Sequence, residues 1–124
     1  MIDLPSQSGR VIIAAGGTGG HVYPALAVAK RLLDRGWSVD WVGTERGIEQ
    51  RLVPAAKMRL HHLSVSGLRG KNLIDRGLGV FRLLLAVIES LIVLRRVKPD
   101  VVLGMGGYAS GPAGMAAWLM RCPL

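Results

Sequence analysis

The residues best suited to chemistry lie in two glycine-rich segments, residues 16–21 (GGTGGH) and residues 104–108 (GMGGY). Each follows a short apolar run that is typical of a buried strand. Glycine permits positive φ angles and a close approach of a ligand to the backbone, and free N–H groups at the start of a helix attract anions. Both segments are therefore predicted to contact a phosphate or a polar sugar.

The spacing within the two segments differs from that of common nucleotide-binding motifs. The first lacks the Lys and Ser/Thr of a P-loop, and Val22 stands where a G-x-G-x-x-G fingerprint starting at Gly17 needs a glycine. The second fits G-x-G-x-x-A at Gly104, Gly106 and Ala109, but the acidic residue expected about 20 residues later falls at or beyond the last residue. A nicotinamide-dinucleotide domain stays an alternative, as do glycines that only form tight turns.

His21 is the one titratable side chain in the first segment, and imidazole can accept a proton near neutral pH. It is a candidate general base; the alternative is a histidine that only hydrogen-bonds the loop backbone. His61 and His62 alternate along a predicted strand and point to opposite faces, so they cannot chelate one ion together. Cys122 is the only cysteine, which excludes a disulfide framework and a multi-cysteine metal site. We expect no metal site.

The elements that position these residues alternate between strand and helix. Strands are predicted at residues 10–15, 38–42, 60–65 and 101–103, and helices at residues 24–35, 45–56 and 112–120, with a long apolar segment ending at Val97. Thr44 is the predicted N-cap of the second helix. Such alternation implies right-handed βαβ units and a parallel sheet covered on both faces, so the predicted fold class is α/β and Rossmann-like.

This topology brings the two glycine-rich segments together. In a doubly wound sheet of strand order 3-2-1-4, the first and fourth strands are neighbours, and ligands bind in the crevice at their carboxyl ends. Both segments would then face one crevice. Two anion-attracting segments at one crevice suit a diphosphate better than a single phosphate.

Composition limits the class of protein. The chain has 124 residues, enough for one domain, and half of them are hydrophobic, with a net charge of +8. Residues 67–98 contain seven basic and two acidic residues, a net charge of +5, and are also the most apolar part of the chain. Aromatic residues are only 5% of the total, so we expect no nucleic-acid partner. A basic rim around apolar side chains is typical of a surface for anionic membrane.

The longest apolar run, residues 83–94, would extend about 18 Å as a helix, whereas a spanning helix needs about 20 apolar residues. We therefore expect it to lie on a membrane and not to cross one. On a helical wheel the apolar side chains cover roughly 200°, about twice the width that packing on one sheet requires. They form one stripe of Ile74, Leu78, Phe81, Leu85, Ile88 and Ile92 and a second of Val80, Leu84, Val87, Leu91 and Leu94.

Two explanations stay open for this extra apolar width. Another helix or domain could cover it, or it could be a membrane patch. The predicted patch consists of Leu73, Ile74, Leu78, Phe81 and Trp118, with Arg69, Lys71, Arg76 and Arg82 meeting anionic lipid.

Four motifs, in this order and spacing, carry a resemblance to a known family. They are GGTGGHVYPALAVA from residue 16, WVGTERGIEQRLVP from residue 41, SGLRGK from residue 66 and KPDVVLGMGGYASGP from residue 98. Residues 10–124 closely resemble the N-terminal domain of the bacterial lipid I N-acetylglucosaminyltransferases. The resemblance implies a GT-B fold of two Rossmann-like domains, in which residues 1–124 form the N-terminal, acceptor-side domain and the C-terminal donor domain is absent.

The resemblance also implies an activity and a location. Members are inverting hexosyltransferases that need no metal or other cofactor. They transfer N-acetylglucosamine from UDP-N-acetylglucosamine to lipid I (undecaprenyl-diphospho-MurNAc-pentapeptide), and the product is lipid II of peptidoglycan synthesis. They work as peripheral proteins on the cytoplasmic face of the bacterial inner membrane. We expect this piece alone to be inactive, and a non-catalytic membrane-docking fragment stays an alternative.

Roles carry over from the family only where the motifs match. His21 corresponds to the proposed base or acceptor contact, and Thr18, Gly19 and Gly20 correspond to the part of the first loop that touches the donor sugar. The acceptor diphosphate is expected to contact Gly16, Gly17, Gly106, Gly107, Tyr108, Ser110 and Gly111.

Overall fold

The computed structural model describes residues 8–17, 19–64, 73–107 and 109–124. Strands and helices alternate along the chain in the order β1 (Arg10–Ala15), α1 (Gly19–Asp34), β2 (Ser38–Thr44), α2 (Glu49–Ala55), β3 (Arg59–Leu63), α3 (Leu73–Val97), β4 (Val101–Gly106) and α4 (Ser110–Leu119). Several predicted residues lie outside the described ones: Thr18, Tyr108, Arg69, Lys71 and, from the predicted third strand, Val65, together with the side chains of Leu73, Ile74 and Arg76.

The four strands form one parallel sheet in the order β3-β2-β1-β4. Ile13 of β1 lies beside Trp41 of β2 on one side and Leu103 of β4 on the other. Because side chains alternate along a strand, the odd-numbered residues of β1 pack under α1 and α2, and the even-numbered ones pack under α3 and α4. The predicted α/β fold and strand order are confirmed, and the carboxyl ends of β1 and β4 are adjacent.

Two element boundaries near the glycine-rich segments differ from the prediction. Helix α1 begins at Gly19, before the expected start at Pro24, because fully buried Val22 packs in the core and this packing outweighs the low helix propensity of glycine. Strand β4 continues to Gly106 and does not end at Leu103, with a register shift opposite the step from Ala14 to Ala15. Both changes move the predicted site residues onto regular elements.

The second helix also begins later than predicted. Helix α2 starts at Glu49 and not at Glu45, and its N-cap is Ile48, which makes no side-chain capping bond. Thr44, the expected N-cap, is the last residue of β2. Its hydroxyl donates to the Glu49 carboxylate, so it joins the strand end to the helix start without capping the helix.

Helix α3 runs unbroken for 25 residues through both of its glycines. Among its side chains from Gly77 onward, the buried ones are Ala86, Ser90 and Leu94, on the side that packs against α4 and the sheet. Among the described helices, only the stretch Gly77–Val97 is long and apolar enough to cross a bilayer by length and composition. The length argument made for residues 83–94 was wrong, because the helix around that run is longer; that it lies on a membrane stays a prediction.

Candidate functional site

The two glycine-rich segments meet at the carboxyl edge of the sheet. Ala15, at the end of β1, pairs with Gly106, at the end of β4. A methyl group built on Gly107 would overlap the carbonyl oxygen of Gly16, so the two segments are in direct backbone contact. Gly106 and Gly107 have φ angles of 111° and 87°, which side chains rarely adopt. The predicted convergence of the two segments on one crevice is confirmed.

His21 lies in the first turn of α1 and rests against the second segment. Its side chain is exposed, and a methyl group on Gly106 would overlap its Nδ1 and lie 2.7 Å from its Cε1. The Nδ1 edge of the ring therefore faces Gly106, and Nε2 is the nitrogen farther from the second segment. This contact places the imidazole at the end of the first glycine-rich segment against the backbone of the second. A general base at this position could reach a hydroxyl bound where the two segments meet.

Ser110, expected to contact a diphosphate, is engaged with the backbone. Its Oγ accepts from the Gly106 N–H at 2.8 Å and lies within donating distance of the carbonyls of Ala14, at 2.7 Å, and Gly106, at 2.9 Å. One hydroxyl thus joins the ends of β1 and β4 to the first turn of α4. Its part in ligand binding stays a prediction, and its observed contacts fix the turn that carries Gly106.

Glu49 is a site residue that the sequence analysis missed. Its carboxylate is fully buried, accepts from Thr44 N and Thr44 Oγ1 through Oε1 at 2.8 and 2.9 Å, and accepts from Gly17 N through Oε2 at 3.1 Å. The Gly17 N–H is therefore already bound and is not available to a phosphate. One sequence signal could have found Glu49: it follows two closely spaced glycines, Gly43 and Gly47. A carboxylate is buried only where hydrogen-bond donors contact it, and glycines let a side chain come close to the backbone N–H donors.

Trp41 supports the same loop from the face of the sheet that packs against α1 and α2. Its side chain is fully buried, and its indole N–H donates to the carbonyl of Ala15 at 2.7 Å. The carbonyl at the end of β1 is thereby satisfied by a side chain where the strand ladder stops.

The remaining predicted ligand contacts surround this crevice. Gly19 begins α1 and packs against the ring of Tyr23, 3.0 Å from a methyl group built on Gly19, and Gly20 is exposed in the next position. Gly111 lies in the first turn of α4 with open space around it. Because α1 and α4 both begin at this edge, the positive ends of their dipoles face the crevice. In α4 the Ser110 N–H already donates to the carbonyl of Gly107, and Pro112 has no N–H.

The described residues contain no cluster of three or more His, Cys, Asp or Glu side chains that could hold a metal ion. His61 instead contacts Asp40, with Nε2 and Oδ2 2.7 Å apart, while His62 is exposed. The two histidines lie on opposite faces of β3, as predicted. Two surface cavities of about 490 and 410 Å³ lie at the amino edge of the sheet around Lys98 and Asp100, away from the crevice.

The described members of the predicted membrane patch are exposed. Leu78, Phe81 and Trp118 are 50%, 63% and 71% exposed, and Arg82 is exposed beside them. They belong to a wider apolar surface on α3 and α4 that also includes Leu84, Ile88, Met115 and Leu119. So many exposed large apolar side chains on two neighbouring helices are typical of a surface that contacts a partner or a membrane.

The fold and this crevice define a class: the N-terminal Rossmann-like domain of a glycosyltransferase. Residues 11–124 match the glycosyltransferase family 28 N-terminal domain, and the chain belongs to this family. The family assignment favours the glycosyltransferase prediction over the dinucleotide alternative.

Curated relatives share one name, UDP-N-acetylglucosamine–N-acetylmuramyl-(pentapeptide) pyrophosphoryl-undecaprenol N-acetylglucosamine transferase. The relative from Chromohalobacter salexigens is 54% identical over 90% of this chain and 31% of its own length, and that from Alkalilimnicola ehrlichii is 57% identical over 92% and 32%. The crystal structure of Acinetobacter baumannii MurG superposes with a TM-score of 0.81 at 39% identity, over 93% of this chain and 34% of that one. The resemblance inferred from the four motifs is confirmed, and the chain spans about a third of these relatives.

Proposed function

We propose that this chain is the acceptor-side domain of an enzyme that transfers N-acetylglucosamine from UDP-N-acetylglucosamine to lipid I and forms lipid II. The observation that carries the proposal is the contact between His21 and Gly106, which puts an imidazole between two segments suited to phosphates and sugars. The names of the curated relatives, which specify this donor and acceptor, support the substrate assignment. A second domain is needed to supply the donor-diphosphate contacts.

The chemistry is a direct displacement with inversion at the anomeric carbon. The 4-hydroxyl of the muramyl sugar attacks this carbon, the bond to the UDP oxygen breaks, and the electron pair leaves with UDP. His21 takes the hydroxyl proton on Nε2, because Nδ1 faces Gly106. The positive dipole ends of α1 and α4 stabilise diphosphate charge at the crevice.

The activity test uses an extended enzyme, defined as this chain followed by the C-terminal part of the Chromohalobacter salexigens relative. We expect the extended enzyme to form lipid II and the 124-residue chain alone to be inactive. His21→Ala should lower kcat by about 100-fold, the usual contribution of a general base. His62→Ala, an exposed histidine on β3, is the matched control and should stay within about threefold of wild type. A His21→Ala enzyme as active as this control would remove the base assignment.

We also propose that the apolar surface of α3 and α4 lies on the cytoplasmic face of the inner membrane. The exposure of Phe81 and Trp118 supports this, as does an acceptor whose undecaprenyl tail stays in the bilayer. The basic residues of the segment would add attraction to anionic lipid.

Flotation of the extended enzyme with vesicles tests the membrane surface. Binding should be stronger to anionic than to neutral vesicles and should fall in Phe81→Ser. Leu33→Ser, an exposed apolar residue on α1 across the sheet, is the matched control and should bind like wild type. Equal binding to both vesicle types, or binding to neither, would contradict the proposal and favour another domain as the cover for this face.

A further inference from the structure

Glu49 is a buried acid that the proposed reaction leaves without a role. Carboxylates are almost never fully buried unless they are paired, and no described cation forms an ion pair with this one. Three backbone or hydroxyl donors surround it instead. Such bonds to a charged acceptor are stronger than neutral ones, so the carboxylate holds its partners firmly.

The space for this carboxylate is created by three glycines. A methyl group on Gly16 would lie 2.6 Å from Oε1, one on Gly43 would lie 2.6 Å from Cγ, and one on Gly47 would overlap Oε2. Three chain segments therefore close around the acid: the loop after β1, the end of β2 and the approach to α2. No ligand-sized space is left, so the arrangement serves to hold the backbone and not to bind a molecule.

The position of Gly17 in the chain shows which part of the backbone its hydrogen bond to Glu49 holds in place. Gly17 has a φ of 96° and lies two residues before α1 begins, and His21 follows in the first turn of that helix. A glycine at such a position can turn its peptide group easily, because no side chain restricts it. The hydrogen bond from Gly17 N–H to Glu49 Oε2 fixes the orientation of that peptide group. It thereby also fixes the start of α1 and the position of the His21 ring beside Gly106.

We propose that Glu49 is a positioning residue, which fixes the first glycine-rich segment through the Gly17 N–H so that His21 is held against Gly106 for the reaction. This inference rests on the proposed function. We call the hydrogen bond between Gly17 N–H and Glu49 Oε2 the tether. A displacement of about 1 Å at a reacting group can lower a rate by about 100-fold, so loss of the tether should lower kcat.

Glu49→Gln in the extended enzyme tests the tether. The amide keeps the shape of the carboxylate but has one oxygen, and this oxygen should stay with Thr44, which offers two donors. The NH₂ group then faces the Gly17 N–H, which it cannot bind. We expect kcat to fall by about tenfold or more, with the KM for the donor changed by less than about threefold, and hydrogen exchange of residues 16–22 to become faster.

Thr44→Val is the matched control, because it removes one bond to the same carboxylate and leaves the Gly17 bond in place. It should lower the thermal unfolding temperature as Glu49→Gln does, yet keep kcat within about threefold of wild type. In a His21→Ala background, Glu49→Gln should lower kcat by less than about twofold more, since the tether acts through that ring. If both variants lose activity in proportion to their stability, or if Glu49→Gln is additive with His21→Ala, the positioning role is wrong.

A second variant covers the case in which Glu49→Gln does not fold. Gly43→Ala pushes on the Glu49 side chain from β2 and keeps the charge, and the three atoms nearest to its methyl group all belong to Glu49. It should reproduce the fall in kcat and the faster exchange, and wild-type kcat with unchanged exchange would overturn the proposal. An inactive wild-type extended enzyme would instead count against the proposed function, because exchange of residues 16–22 reports on the tether without turnover.

Discussion

Gly106→Ala directly perturbs the contact that carries the proposed function. The new methyl group would overlap His21 Nδ1 and lie 2.7 Å from Cε1, whereas carbon atoms settle at about 3.5 Å, so the ring must move by at least about 0.8 Å. Alanine must also adopt a φ of 111°, which adds about 1–3 kcal/mol of strain. A displacement of this size predicts a loss of about 100-fold in kcat in the extended enzyme.

The assay is lipid II formation by wild type, Gly106→Ala, His21→Ala and the double variant. If the methyl group acts by displacing the ring, the double variant should be as slow as His21→Ala, within about twofold. Gly77→Ala is the matched control, since its methyl group enters open space in α3; it should keep full activity and stabilise the chain by up to about 1 kcal/mol. Additive losses in the double variant, or a Gly106→Ala enzyme of wild-type kcat, would refute the reasoning.

Two further predictions concern stability and thiol reactivity. Trp41→Phe should lower the free energy of unfolding by about 1–3 kcal/mol in urea titrations, because the carbonyl of Ala15 loses its buried donor; an unchanged midpoint would mean that water replaces the indole. Burial, and secondly the negative charge of Asp100, raise the pKa of the Cys122 thiol. Its alkylation by iodoacetamide at pH 8, followed by mass spectrometry, should therefore be slower in the folded protein than after denaturation, and equal rates would contradict the burial.

The arrangement of the two glycine-rich segments could be predicted because it depends on local signals. Short β-branched and apolar runs mark β1 and β4, and the rules of parallel sheets then bring their carboxyl ends together. The contact between His21 and Gly106 follows from the same topology. Glu49 could not be found this way, because it bonds a partner 32 residues away, and its burial depends on side chains that three separate glycines lack.

Helix α3 shows a different limit of sequence patterns. The stripes of large apolar residues suggest which side of a helix is packed, yet fully buried positions on α3 include Ala86 and Ser90. Ala86 belongs to the same core cluster as Ala113, Ala116 and Ala117 of α4, where close approach of two helices requires small side chains. The first stripe, from Leu78 onward, is exposed, and Leu94 of the second stripe is buried, so the pattern of large apolar residues did not locate the small residues Ala86 and Ser90.

The close packing of three glycines around Glu49 has a consequence for sequence variation. One carboxylate fits because Gly16, Gly43 and Gly47 each lack a methyl group, so these four positions behave as a single unit. A side chain larger than a methyl group, added at any of the three glycines, should be tolerated only when the acid is shortened or lost as well. In libraries of random variants, the four positions should therefore change together or not at all, although as many as 33 residues separate them in the chain.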